Sequence, residues 1–152
     1  MAGIYDLSVL KRHAFLVSYG EIALGPLASA PGFEPETAFY NCLIYQAGQV
    51  VESSFLEKNE VRIRLDVKDT AGALALLKTF RTGQDLLAAG RRVPLFFTPV
   101  RQDGDDAQTL VFPAAVLLPD FHYMQSAKTD HCVQLHFRCL PDPESGNLFF
   151  LN

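Results

Sequence analysis

The chain has 152 residues, 49% of them hydrophobic and 20% charged, with a formal charge of −4. That length supports one core, burying about 70% of the surface exposed by the unfolded chain, and the apolar content excludes intrinsic disorder. Asp103 and Lys128 interrupt the apolar runs before the roughly 20 residues of a spanning helix, and no basic block of the kind that grips a phosphate backbone is present; a soluble protein without tight nucleic-acid binding is expected.

The opening "MAGIYDLSVLKRH" has no charged leader ahead of an apolar stretch, so no secretory signal is expected and an intracellular origin follows. Next, "AFLVSY" reads as a strand. In "YGEIALG", Gly20 and Gly25 flank a strand-like run and mark turns, since they do not open a phosphate-binding helix. "TAFYNCLIYQ" is a further strand, closed by the turn "QAGQ". The clearest pattern is "EVRIRLDVKD": Val61, Ile63, Leu65 and Val67 alternate with Glu60, Arg62, Arg64, Asp66 and Lys68, giving a strand with one dry and one wet face.

Only the middle is helical. In "DTAGALALLKTF", Asp69 or Thr70 caps a helix whose stripe is Leu74, Leu77 and Phe80, more in keeping with core than with a partner-binding face. A short second helix, "QDLLAAG", is expected to end at Gly90. Strands resume with "VPLFFTPV" and "TLVFPAAVLL", separated by the hairpin-like "RQDGDDAQ"; Pro99 and Pro113 place these runs at an edge or a bulge. In "VQLHFRC", Val133, Leu135, Phe137 and Cys139 oppose Gln134, His136 and Arg138, and "PDPESGN" leads to a last strand in "NLFFL". The expected fold class is mainly β with one helical segment (α+β): an antiparallel β-sandwich or barrel with a single central helix packed at one side.

Reactive residues are sparse. Cys42, Cys132 and Cys139 are odd in number and lack C-x-x-C spacing, which suits buried, reduced thiols. His122, His131, Cys132 and His136 are close in sequence, yet on a strand His131 and His136 point to opposite faces, and Cys132 and His136 stand roughly 13 Å apart, too far to share a tetrahedral zinc. His13 and His122 read as surface or strand-end histidines, and Asp105 and Asp106 as solvated acids of a hairpin tip. A Cys–His or Ser–His–Asp site has no local support. No catalytic, metal or cofactor residue is therefore assigned, and the expectation is that the chain is not an enzyme.

Three segments in order, "VSYGEIALGPLASAPGFEPET", "EVRIRLDVKDTAGALALL" and "LVFPAAVLLPDFHYMQSAKTDHCVQLHFRCLPDPESGNLFFLN", resemble the tail-tube proteins of phages and of contractile injection machines. The resemblance implies a single tail-tube-like domain over residues 1–152. It also implies a structural subunit of a phage or prophage tail tube, self-assembling as a homohexamer around a lumen through which DNA or an effector passes without tight binding. The setting it implies is the virion tail, made in the host bacterial cytoplasm, with other tail proteins as partners and no membrane. One departure is that "YQAGQVVESSFLEKN" leaves little room for the long loop by which many tube subunits stack. An adaptor, neck, baseplate or type VI-like ring protein is the first alternative, and a small-molecule-binding β-barrel the second. The candidate lumen or polar sheet face is Glu60, Arg62, Arg64, Asp66, Gln134, His136 and Arg138, with plain solvent as the equal alternative for what that face meets. The candidate assembly edge is Leu148, Phe149, Phe150 and Leu151, a terminal strand expected to be paired within the subunit or with a neighbour.

Overall fold

Alternating apolar side chains bury one face of a strand, and Val61, Ile63, Leu65 and Val67 are all buried. The computed structural model describes residues 15–25, 27–99, 109–124 and 131–152. It contains β1 (Phe15–Tyr19), β2 (Ile22–Gly25), β3 (Gly32–Gln46), β4 (Gln49–Val67), β5 (Val93–Pro99), β6 (Leu110–Met124), β7 (Cys132–Leu140) and β8 (Phe150–Leu151). All belong to one sheet, antiparallel at every pairing, in the order β2-β1-β5-β6-β7-β4-β3, with β8 against β6. The fold is mainly β with one α-helix among the described residues, α1 (Thr70–Leu77).

β2 and β3 are the two margins of this sheet, yet Leu27, two positions after Gly25, already bridges to Val67 of β4. The Ala28 N–H then donates to the Asp66 carbonyl at 2.8 Å. The chain thus crosses from one margin to the other in a single step, which requires the sheet to curl around its core. Aromatic rings meet across that core: Phe33 of β3 lies 5.5 Å from Phe97 of β5 and 6.0 Å from Phe112 of β6. Tyr19 of β1 stands edge-on to Phe137 of β7 at 5.1 Å.

α1 is capped by the Asp69 carboxylate, which accepts from the Gly72 N–H at 3.1 Å. It packs beside β7 through buried Ala73, with Leu76, Leu77 and Phe80 against the core. The buried stripe is therefore rotated from the expected one, leaving Leu74 exposed. The expected second helix is absent. Asp85 instead accepts from the Leu87 N–H at 3.0 Å, a local turn that competes with helix, and a 3-10 turn follows at Ala89–Arg91. Leu86 closes over Ala114, Val116 and Leu140 on the outer side of β6 and β7.

Pro113 sits where the β5–β6 register shifts, so proline marks a bulge in an interior strand. The last strand is held by the chain's own β6. Leu110 pairs with Leu151 and Val111 with Phe150, and Thr109 and Asn152 exchange hydrogen bonds of 2.9 and 3.1 Å. β8 occupies the slot along β6 vacated where β7 stops at Leu140.

Candidate functional site

The polar residues of β4 and β7 share a face as direct cross-strand neighbours: Arg62 opposite Arg138, Arg64 opposite His136, and Asp66 opposite Gln134. Like charges placed opposite each other are destabilising, and the Arg62–Arg138 pair is relieved by acids on either side. Arg138 makes a two-pronged bond to Glu60, at 2.8 Å from Nε and 2.7 Å from Nη2. Glu36 of β3 takes Lys58 at 3.2 Å and Arg62 at 3.5 Å. The Arg138 hydrogen bonds hold the Glu60 carboxyl below the ordinary glutamate value, against the opposing effect of desolvation. Glu60 is buried, so it acts as the anchor of a charge network and leaves the open surface to the side chains around it. Asp66 accepts from Gln134 at 3.1 Å and from the Ser29 hydroxyl.

Beyond this face, β3 and β4 run on without a third strand among the described residues. β7 pairs with β4 only from Val61 to Val67, while β3 and β4 stay paired to Gln46 and Gln49. From Lys58 to the tip this is roughly 30 Å of two-stranded ribbon at about 3.3 Å per residue. The tip is a two-residue turn with Ala47 at φ 52° and Gly48 at φ 77°, the mirror-image type whose twist matches paired strands. The stretch indeed holds almost no loop, as its sequence suggested, and the projection is built from extended strands.

The ribbon is apolar on both sides. Cross-strand pairs alternate between Phe39–Leu56 and Tyr45–Val50 on one face and Tyr40–Phe55 and Ile44–Val51 on the other. Tyr40 and Phe55 stack at 5.4 Å. Nine of the 17 exposed large hydrophobics among the described residues lie on this ribbon, with Tyr45 at 80%. Two-stranded ribbons are marginal by themselves in water, and exposed apolar patches of this kind mark interaction surfaces. Neither outer edge of the ribbon has a strand beside it among the described residues. Sequence reading missed the site because "VVESSFLEKN" mixes polar and apolar residues without strict alternation.

The expected assembly edge is divided. Leu148 is buried and Leu151 packs on the core, whereas Phe149 and Phe150 are 46% and 43% exposed. Cys132 and Cys139 are buried free thiols, and burial pushes the Cys139 thiol far up; Cys42 is half-exposed on the ribbon. No three His, Cys, Asp or Glu side chains converge as metal ligands among the described residues, and no described helix is long and apolar enough to cross a membrane. His13, Asp103, Asp105, Asp106 and Lys128 lie outside the described residues.

No protein-family model matches the sequence, and a search of curated proteins gives no match. Solved structures do match. The cap of the anti-feeding prophage, described as its tube terminating cap, superposes with a TM-score of 0.59 at 10% identity, over 100% of this chain and 94% of that one. The sheath/tube terminator of an extracellular contractile injection system, PVC, in its extended state gives 0.59 at 12% identity, over 99% of both chains. A chain of the PVC sheath-tube complex in the extended state gives 0.56 at 10% identity, over 92% and 88%. At 10–12% identity these matches show a shared overall fold with cap, terminator and sheath-tube components of contractile injection systems.

Proposed function

We propose that this chain is a structural ring subunit of a phage tail or contractile injection machine, assembling with copies of itself around a lumen, with six as the expected number. The observation that carries the reading is the ribbon of β3 and β4, whose two apolar faces and two open edges have no partner among the described residues. A second copy supplies both kinds of complement, because a strand edge hydrogen-bonds to another strand edge and an apolar face covers another. The work of such a subunit is geometric, and no reaction is assigned to it.

Between tube subunit and terminal ring, the likeness to a terminating cap and a terminator over nearly the full length of all chains favours the terminal ring. Electron microscopy of the purified protein separates them. A terminal or adaptor ring gives single closed rings that do not stack, and a tube subunit gives stacked rings of indefinite length. A protein that stays monomeric at high micromolar concentration, with its ribbon folded back on its own core, overturns the assembly reading.

A further inference from the structure

The two faces of the β3–β4 ribbon differ in charge. From Phe39 to Leu56 the single charged residue is Glu52, which stands opposite Leu43 on the face that also carries Asn41 and Ser54. The other face sets Tyr40 against Phe55, Cys42 against Ser53 and Ile44 against Val51, and it holds no charge up to Gln46 and Gln49 at the tip. Its Tyr40 and Phe55 rings stack at 5.4 Å.

The two outer edges match each other. Residues 39–46 of β3 and 49–56 of β4 pair without interruption, so the edges are equal in length and opposite in direction. Neither has a neighbouring strand among the described residues. The register shifts once, at the root between Ala38 and Phe39, and such a bulge bends a strand pair out of the line of its sheet, as it does at the rims of barrels. The large apolar side chains of the ribbon are 38–80% exposed. At roughly 150–200 Å² for each fully exposed side chain they present on the order of 800 Å², about what one partner brings to a standard interface.

We propose that the ribbons of successive copies pair β3 edge to β4 edge into one closed antiparallel barrel, two strands per copy, with the uncharged face turned into its bore. This rests on the ring reading and deepens it by naming the surface that joins the copies. Ring contacts join two different patches of the same chain, and the β3 and β4 edges are such a pair. Closure then leaves no strand edge open. The charged face turns outward, because the opposite choice gathers the Glu52 carboxylates of all copies in a narrow, poorly hydrated space. Six copies give about twelve strands, between the roughly eight that side chains fill and the 16 or so that leave a water channel. Tyr40 and Phe55 therefore make the bore an apolar constriction, of the kind that closes a passage by excluding water, which suits a ring at a tube end.

The test uses the full chain and a polymer-bearing maleimide. Cys42 lies on the inward face, while Cys132 and Cys139 are buried. In rings verified by microscopy, Cys42 should react roughly tenfold or more slowly than in dilute protein, and the variant Cys42→Ser/Ser54→Cys, with its thiol on the outward face, should react at nearly the same rate in both. Ile44→Asp should abolish rings, whereas Ile44→Val should form them. Protection of position 54 with free reaction at Cys42 reverses the faces and overturns the proposal. Equal protection of both means a ribbon sandwiched between copies, and free reaction of both means rings joined elsewhere; either overturns it, as do rings of Ile44→Asp at the parent's concentration. Absence of rings from the parent protein overturns the ring reading and the barrel together, so the two failures are distinguishable. Circular dichroism checks that each variant is folded.

Discussion

Tyr19→Phe removes a single oxygen from the middle of the core, and its cost follows from the bonds that oxygen makes. β5 begins at Val93, opposite Ala115, so among the described residues β6 beyond that point has no strand neighbour on its β5 side. The Tyr19 hydroxyl fills the gap: it lies 2.9 Å from the Ala115 carbonyl and 3.1 Å from that of Arg91, and it accepts from the Leu117 N–H at 3.3 Å. Phenylalanine keeps the edge-on contact with Phe137 but leaves the Leu117 N–H and Ala115 carbonyl unpaired. A buried polar group without a partner costs about 1–3 kcal/mol, so a loss of about 2 kcal/mol is expected. For a chain of this size that is a fall in Tm of roughly 4–8 °C. Thermal and urea unfolding of the two proteins, followed by circular dichroism, measures it. A change below about 0.5 kcal/mol, the scatter of ordinary surface substitutions, would refute the idea that this hydroxyl completes the β6 ladder.

Glu60→Gln should remove an acid-sensitive part of the stability. Because Arg138 holds the Glu60 carboxyl below its ordinary value of 4.5, its contribution is present above that value and is lost as pH falls through the folded-state value; urea titrations should show the variant weaker by about 1–3 kcal/mol at pH 7 and nearly equal to the parent at the acid end of that transition. Gly20→Ala should destabilise by about 1–3 kcal/mol, since Gly20 sits at φ 62° and the added carbon would stand 2.7 Å from Val93 Cγ1; unaltered thermal unfolding would contradict this. Native alkylation followed by mass spectrometry should label Cys42 readily in dilute protein and slowly in assembled protein, with Cys139 unreacted in both because burial keeps its thiol protonated.

The polar face was legible because period-2 patterns in "EVRIRLDVKD" and "VQLHFRC" each fix a face, and pairing β4 with β7 in register needs nothing further. The same logic gave the mainly β class and the burial of Cys132 and Cys139, while the expectation that Cys42 is buried is corrected, because its strand is left half-exposed where β3 and β4 extend beyond β7. It stopped where neighbours override local pattern. In β6, the bulge past Leu117 brought His122 to His136, a contact set by register slip that spacing along the chain does not carry. In "QDLLAAG", the Asp85 carboxylate turned an apparent helix into turns. The ribbon was hidden for a physical reason as well: a strand exposed on both faces within one subunit has no dry side to impose alternation, so its apolar residues appear irregular until a second subunit is considered.

The account rests most heavily on the ribbon of β3 and β4 being completed by other copies of the chain. Amide hydrogen exchange of residues 39–57 as a function of protein concentration tests that directly, because open-edged two-stranded ribbons exchange fast and paired edges are protected. Protection that appears with concentration, together with ring formation, and that is abolished in Leu43→Asp/Tyr45→Asp while exchange in β5, β6 and β7 stays unchanged, is the predicted result. Fast exchange along the whole ribbon in samples that contain closed rings would contradict it, since the rings would then be held together by another surface.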